Sequence, residues 1–130
     1  MTRRTDKVIR GLSCPKCDSP IVEREKNGRH YKCCSRAPFD CDVYYDRFGF
    51  STKADRLARS KVRAKFKSIV EVGLVSAGQI RNELLEVLPE DVSNYSRLND
   101  IVSSLKAAEC AVALQLAFDI IHANQLRLFE

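Results

Sequence analysis

Cys14-Pro15-Lys16-Cys17, then Lys26-Asn27-Gly28-Arg29, then Cys33-Cys34 and finally Cys41 form the stretch on which the fold of this 130-residue chain turns. Two residues between Cys14 and Cys17 make a knuckle that lets both thiolates face one tetrahedral ion, at about 2.3 Å for zinc. Cys34 and Cys41 offer a second pair across a longer loop. Between the pairs, Pro20-Ile21-Val22-Glu23-Arg24-Glu25 and Arg29-His30-Tyr31-Lys32-Cys33 read as two strands, because Asn-Gly favours the left-handed angles of a two-residue hairpin turn. The hairpin brings the knuckles together. A third short strand, Asp42-Val43-Tyr44-Tyr45, is expected alongside. So small a sheet buries little apolar surface, and metal binding is expected to form part of its folding free energy.

Successive strand residues face opposite ways, so Cys33 and Cys34 are not expected to bind the same ion. Cys34 is favoured as the third ligand, with Cys33 as the alternative. A set of Cys14, Cys17, Cys34 and Cys41 around Zn2+ is a zinc ribbon. Residues 12–46 or so resemble the four-cysteine zinc ribbons at the C-terminal end of bacterial type I topoisomerases. Tyr31-Lys32-Cys33-Cys34-Ser35 supplies the aromatic, the third cysteine and the serine of that pattern, and Ala37-Pro38-Phe39-Asp40-Cys41 supplies the proline-containing loop to the fourth cysteine. The chain departs from the pattern in a last loop one residue longer and in an aromatic that follows Pro38 instead of preceding it. Those ribbons bind DNA, usually single-stranded, so the resemblance implies a nucleic-acid partner and no cleavage chemistry.

Zinc is expected in preference to a disulfide framework, since Met1-Thr2-Arg3-Arg4 is followed by no apolar stretch of the kind that directs secretion. The sequence also lacks a run of about 18 apolar residues. Both features point to a soluble cytoplasmic protein with no membrane partner. Cys110, in an alanine-rich helical stretch, is expected to be an ordinary buried thiol.

Charge divides the chain. Residues 1–67 hold 18 Lys and Arg against 8 Asp and Glu, a net +10, while residues 68–130 hold 4 against 9, a net −5 within the +5 of the whole. A basic half attracts phosphates through counterion release, and an acidic half suits protein contacts. Tyr31, Phe39, Tyr44 and Tyr45 interleave with Arg24, Arg29, Lys32 and Arg36, as on surfaces that stack unpaired bases while cations follow the backbone. About half of these rings are expected to pack inside the ribbon, given two faces per strand.

After Arg47-Phe48-Gly49-Phe50-Ser51 the apolar period changes from two to about 3.6. From Lys53 to Val72, Ala58, Val62, Phe66, Ile69 and Val70 form one stripe, leaving Arg56, Arg59, Arg63, Lys65 and Lys67 on the remaining surface of a basic amphipathic helix. Gly73 reads as its cap, and Ser76 with Gln79 as the start of a second helix whose face is Ile80, Leu84, Leu85 and Leu88 and whose stop is Pro89. A third helical region runs from about Asn94 to Ile121. It is long enough to predict either a break near Ala107 to Cys110 or a seam for a homodimer. The second and third helical segments have a weak helix-turn-helix flavour but too long a connection, so a scaffold is expected there.

The chain closes with Gln125-Leu126-Arg127-Leu128-Phe129-Glu130. The first five residues resemble the pentapeptide by which bacterial polymerases and repair proteins bind the replication sliding clamp. The resemblance implies that Gln125 anchors one edge of the clamp pocket while Leu126, Leu128 and Phe129 complete the motif, Leu128 and Phe129 filling its apolar cleft. A terminal tail suits such docking.

No catalytic constellation emerges. His30 and His122 lie far apart, and no glycine-rich phosphate loop, nucleophile elbow or paired-carboxylate motif occurs, so an enzyme is not expected. The sequence therefore predicts an α+β protein: a zinc ribbon (1–50) of a β-hairpin plus a short strand, an all-helical domain (51–124) and a docking tail (125–130). The metal ligands are Cys14, Cys17, Cys34 and Cys41; the nucleic-acid residues are Arg24, Arg29, Tyr31, Lys32, Arg36, Arg56, Arg59 and Arg63. The expected role is a DNA-binding accessory factor, bacterial or phage, tethered to the sliding clamp in replication, repair or clamp-coupled transcription. The alternatives are a zinc-ribbon regulator that binds DNA and RNA polymerase, a phage inhibitor of the clamp, or a structural subunit without DNA contact.

Overall fold

Asn27 and Gly28 adopt φ of 53° and 79°, the left-handed pair that closes a two-residue hairpin without splaying its strands. They join β2 (Pro20–Lys26) to β3 (Arg29–Cys34) in a register that runs from Lys26↔Arg29 to Ile21↔Cys34. The structure, a computed structural model, describes residues 6–89 and 95–127. The chain divides into two compact units, Met1–Lys53 and Ala54–Glu130. The fold is α+β as the sequence predicts, with an antiparallel sheet followed by helices.

The sheet has five strands rather than three, in the order β1-β2-β3-β4-β5: β1 is Lys7–Ser13, β4 is Tyr44–Asp46 and β5 is Gly49–Ser51. The extra strand β1 pairs with β2 through Val8↔Val22 and then through Ser13↔Pro20, so the four residues of β1 between these pairs face one residue of β2. Gly11, at φ 83°, sits within that irregularity. A bulged strand loses its period of two, which is why Ile9 and Leu12, three apart, carry the inward-facing side chains. β5 is too short to show any alternation. It pairs with β4 across Arg47-Phe48, where Asp46 accepts the Phe48 N–H at 2.8 Å.

Alternation then sorts the sheet into two faces. Ile21, Cys34, Tyr45 and Phe50 belong to one cluster with Cys14, Cys41 and Val43, whereas Val22, Cys33, Tyr31 and Tyr44 pack on the other with Ala37. All three tyrosines of the sheet are thus packing residues at least in part: Tyr45 lies 4.8 Å from Phe50, and Tyr31 lies 6.5 Å from Tyr44, ring centre to ring centre.

The second unit is built on α1 (Lys53–Glu71), α2 (Ala77–Val87), α3 (Leu98–Ser104) and α4 (Ala107–Arg127). Gly73, at φ 78°, ends α1: its N–H reaches Val70 O and the Leu74 N–H reaches Ile69 O, the paired bonds of a Schellman cap. Ser76 caps α2 by accepting the Gln79 N–H at 3.1 Å. The long third helix breaks just before the region expected, at Leu105-Lys106. Ser103 and Ser104 donate their hydroxyls to Asn99 O and Ile101 O, drawing carbonyls away from the helix ladder.

Two buried ionisable residues of α1 hold that break. Asp55 accepts the Ala107 N–H at 2.8 Å, at the start of α4, and Arg59 donates to Leu105 O at 2.5 Å. The apolar seam considered for a homodimer is mostly internal: Ile101, Val102, Leu105 and Ile120 lie in the unit's own core with Val62, Phe66, Ile80 and Leu84. Cys110 is buried there too. Among the described residues no helix is long and apolar enough to cross a membrane.

Candidate metal centre

The Cys14 knuckle is shaped by backbone bonds before any ion is considered. Asp18 N–H reaches Cys14 O at 2.8 Å, Cys14 N–H reaches Ser19 O at 2.8 Å, and Lys16 N–H points at Cys14 Sγ at 3.4 Å. Asp18 takes φ 63° to complete the turn. The other pair is held by the sheet. Cys34 N–H bonds to Val43 O, Ser35 N–H to Pro20 O and Cys41 N–H to Arg36 O, so the loop from Cys34 to Cys41 returns its end to its beginning.

The sulfurs of Cys14, Cys17, Cys34 and Cys41 all lie within 4.8 Å of one another. Cys14 Sγ is 3.7 Å from Cys41 Sγ, and Cys17 Sγ is 3.4 Å from Cys34 Sγ. Four thiolates at 2.3 Å from a tetrahedral centre would be about 3.8 Å apart. The donor set therefore fits a structural zinc site, with four sulfurs and no position left for a reacting water. Cys33 is fully buried on the opposite face of the sheet, against Val22 and Ala37, and does not join the cluster.

Protonation follows from the surroundings. As free thiols, Cys34 is pushed up to about 12 and Cys41 is raised, both mainly by burial, while hydrogen bonding with Ser19 brings Cys17 down to about 6. An ion entering this cluster takes thiolates and releases the protons that burial favours. Outside the sulfurs, Lys16 Nζ meets Asp42 Oδ1 at 3.0 Å, clipping the first knuckle to the residue after the last ligand. The Lys16 hydrogen bond holds the Asp42 carboxyl below its usual range.

The structure separates the other expected site residues. Arg29, Lys32 and Arg36 are exposed, and Tyr31 is half-buried against Tyr44. Arg24 is removed from the candidate surface: only 5% exposed, it grips Asp6 with Nε and Nη2 at 3.0 and 3.1 Å and donates to Ala37 O and Ser35 O at 2.6 and 2.9 Å. It braces the metal loop. Arg59, also 5% exposed, faces the helical core and Leu105 O. In both cases a cation expected to face solvent satisfies buried carbonyls. Arg56 is exposed, and Arg63 is half-buried with bonds to Asn99 Oδ1 and Ser103 Oγ.

No protein-family model, curated protein or solved structure matches this chain. The ribbon-like centre is therefore characterised by its own donor set and geometry. Of the C-terminal residues, Gln125 is exposed in the last turns of α4, which continues through Leu126 and Arg127. Leu128 and Phe129, and the side chain of Leu126, lie outside the described residues.

Two features escape a reading of the sequence. Phe39, at 90% exposure, is the most exposed large apolar side chain among the described residues, and it projects from the Cys34–Cys41 loop three residues from the exposed Arg36. Its presence in the loop is legible; its exposure is not, since half the rings had to pack. The Lys16–Asp42 clip leaves no signal in sequence, because it joins residues 26 apart that only the closed site brings together.

Proposed function

We propose that this protein is a zinc-ribbon DNA-binding accessory factor whose ribbon holds unpaired bases and whose C-terminal residues tether it to a sliding clamp. The observation that carries the reading is Phe39. An aromatic ring left 90% exposed on this loop gains nothing for folding, but offers a platform on which a base can stack, with the exposed Arg36 three residues before it in the loop. Arg29 and Lys32, exposed on β3, add charge for the phosphates. The zinc centre is structural in this reading, fixing the loop that presents the ring.

Tethering rests on the match of Gln125, Leu126, Leu128 and Phe129 to the clamp-binding pentapeptide and on the exposure of Gln125. A ring that encircles DNA would raise the local concentration of a weakly binding ribbon at its template, so two modest affinities would combine. One observation favours the rival in which the last residues are structural and the helical unit contacts RNA polymerase: α4 runs through Arg127, so an extended peptide would require its last turn to unwind.

The test is fluorescence anisotropy with a 20-nucleotide oligo-dT at low salt. Phe39→Ala should cost about 1–3 kcal/mol, roughly 5- to 150-fold in affinity, if the ring stacks on a base. Absence of any binding by the wild-type protein at low salt refutes the DNA reading. Micromolar binding to a bacterial clamp that Leu128→Ala with Phe129→Ala abolishes supports the tether, and equal binding by both proteins refutes it.

A further inference from the structure

The exposed surface of α1 forms a second cationic site in a unit separate from the ribbon. α1 carries two acids: Asp55, turned inward to Ala107, and Glu71 in its last turn, whose Oε1 lies 3.8 Å from Lys67 Nζ; the exposed surface between them is acid-free. With 100° per residue, the exposed residues Leu57, Ser60, Ala64 and Ser68 follow one line along the helix. Arg56, Arg63 and Lys67 lie along one edge of that line, and Lys61 and Lys65 along the other. From Arg56 to Ser68 the side chains between the edges are short or uncharged, with Lys53 and Glu71 on the same line only at the two ends of the helix, so the middle of the helix can approach a surface closely with cations on both sides. Arg63 also bonds Asn99 and Ser103, and Lys65 lies over the Phe118 ring at 5.0 Å.

That arrangement matches a duplex groove. A helix with its side chains is about 10–12 Å across and the major groove of B-DNA is about 12 Å wide, with a phosphate strand on each side. A single strand offers one row of phosphates and would use one edge. A membrane surface would need an apolar wedge, and the central line provides only Leu57.

We infer that the α1 face carrying Arg56, Lys61, Arg63, Lys65 and Lys67 is a binding site for duplex nucleic acid, distinct from the ribbon loop. It contacts phosphates on both sides of a groove and reads no base, since Ser60, Ala64 and Ser68 are too short to form a bidentate pattern with base edges. The protein thus has one element for unpaired bases and another for paired DNA. This site goes beyond the ribbon reading and does not depend on it.

The test compares the full-length wild-type protein with a triple variant, Arg56→Gln with Lys61→Gln and Lys67→Gln, all three positions being exposed. Far-UV circular dichroism verifies that the helices are intact. Each protein is titrated against a 20-base-pair duplex, a 20-nucleotide oligo-dT and vesicles of mixed anionic and zwitterionic lipid, between 50 and 200 mM salt. The expected result is a duplex salt slope shallower by about 2.7 in the variant, so that the wild type loses about 40-fold more affinity across that range. Oligo-dT binding should stay unchanged, and Phe39→Ala should show the opposite pattern. Equal duplex affinity and slope for the two proteins overturns the inference. So does a variant weakened alike on duplex and single strand, or a wild-type protein that binds the vesicles and not the duplex.

Discussion

Adjacent cysteines with opposite fates give the sharpest test of the metal centre. Cys34 lies in the four-sulfur cluster, with its Sγ 3.4 Å from that of Cys17, while Cys33 sits on the other face of the same strand between Val22 and Ala37. A structural zinc site with four cysteine ligands contributes about 10–16 kcal/mol at neutral pH, so one of the ligands carries about 2.5–4 kcal/mol. Cys34→Ser should therefore weaken zinc binding by about 10²- to 10³-fold. Cys33→Ser places a hydroxyl where a thiol fills an apolar pocket, which costs about 1–3 kcal/mol of stability and leaves the ion in place. The assay is zinc per chain after dialysis against a weak chelator, measured by a colorimetric indicator, with far-UV circular dichroism showing that the helical unit is still folded. One zinc per chain in Cys33→Ser and a substoichiometric value in Cys34→Ser is the expected pair of results. The reverse pair would mean that β3 is shifted by one residue, and would refute the register Ile21↔Cys34 on which the site is built.

Strong chelation should abolish the near-ultraviolet signal of Tyr31, Tyr44 and Tyr45 while leaving most of the 222 nm helical signal, because the helical unit has a core of its own; loss of both together would contradict that division. Zinc affinity should fall steeply on acidification from pH 8 to 6.5. Burial raises Cys34 and Cys41, so both hold protons at neutral pH that the ion must displace, giving a loss of at least about 100-fold per pH unit in competition titrations. A flat profile would mean that the thiols are already ionised. Asp55→Ala leaves the Ala107 N–H without its acceptor at the start of α4 and should destabilise the helical unit by about 1–3 kcal/mol, lowering its melting temperature by at least about 4 °C; an unchanged melting temperature would show that water replaces the carboxylate at no cost.

The hairpin, the two cysteine pairs and the three long helices were legible because each depends on a local rule. Asn27-Gly28 specifies its own turn, the Cys14–Cys17 spacing specifies its own knuckle, and Val62, Phe66 and Ile69 repeat with the helix. Alternation even distinguished Cys34 from Cys33, since it needs only the direction of one strand. β1 was hidden because its bulge destroys the period that would reveal it, and β5 because three residues hold no period at all. Arg24 and Arg59 misled for a different reason. A cation with buried carbonyls to satisfy is indistinguishable in sequence from one facing water, and the carbonyls of Ser35, Ala37 and Leu105 come from distant parts of the chain. The small break at Leu105 was half legible: length offered either an interruption or a dimer seam, and the place of the break is set by Ser103 and Ser104 together with Asp55 and Arg59, which are distant in sequence.

Strand order along the sheet is the same as order along the chain, and this has a consequence for timing. Every pairing is between consecutive strands, and the turn at Asn27-Gly28 can close in about 1–10 μs. A ribosome adds about 5–20 residues per second. Once Cys41 has left the exit tunnel, all four sulfurs can be assembled while the helices beyond Lys53 are still being made or lie in the tunnel. Metal capture can thus precede the folding of the helices, because every ligand and every strand that frames the site lies ahead of them in the chain.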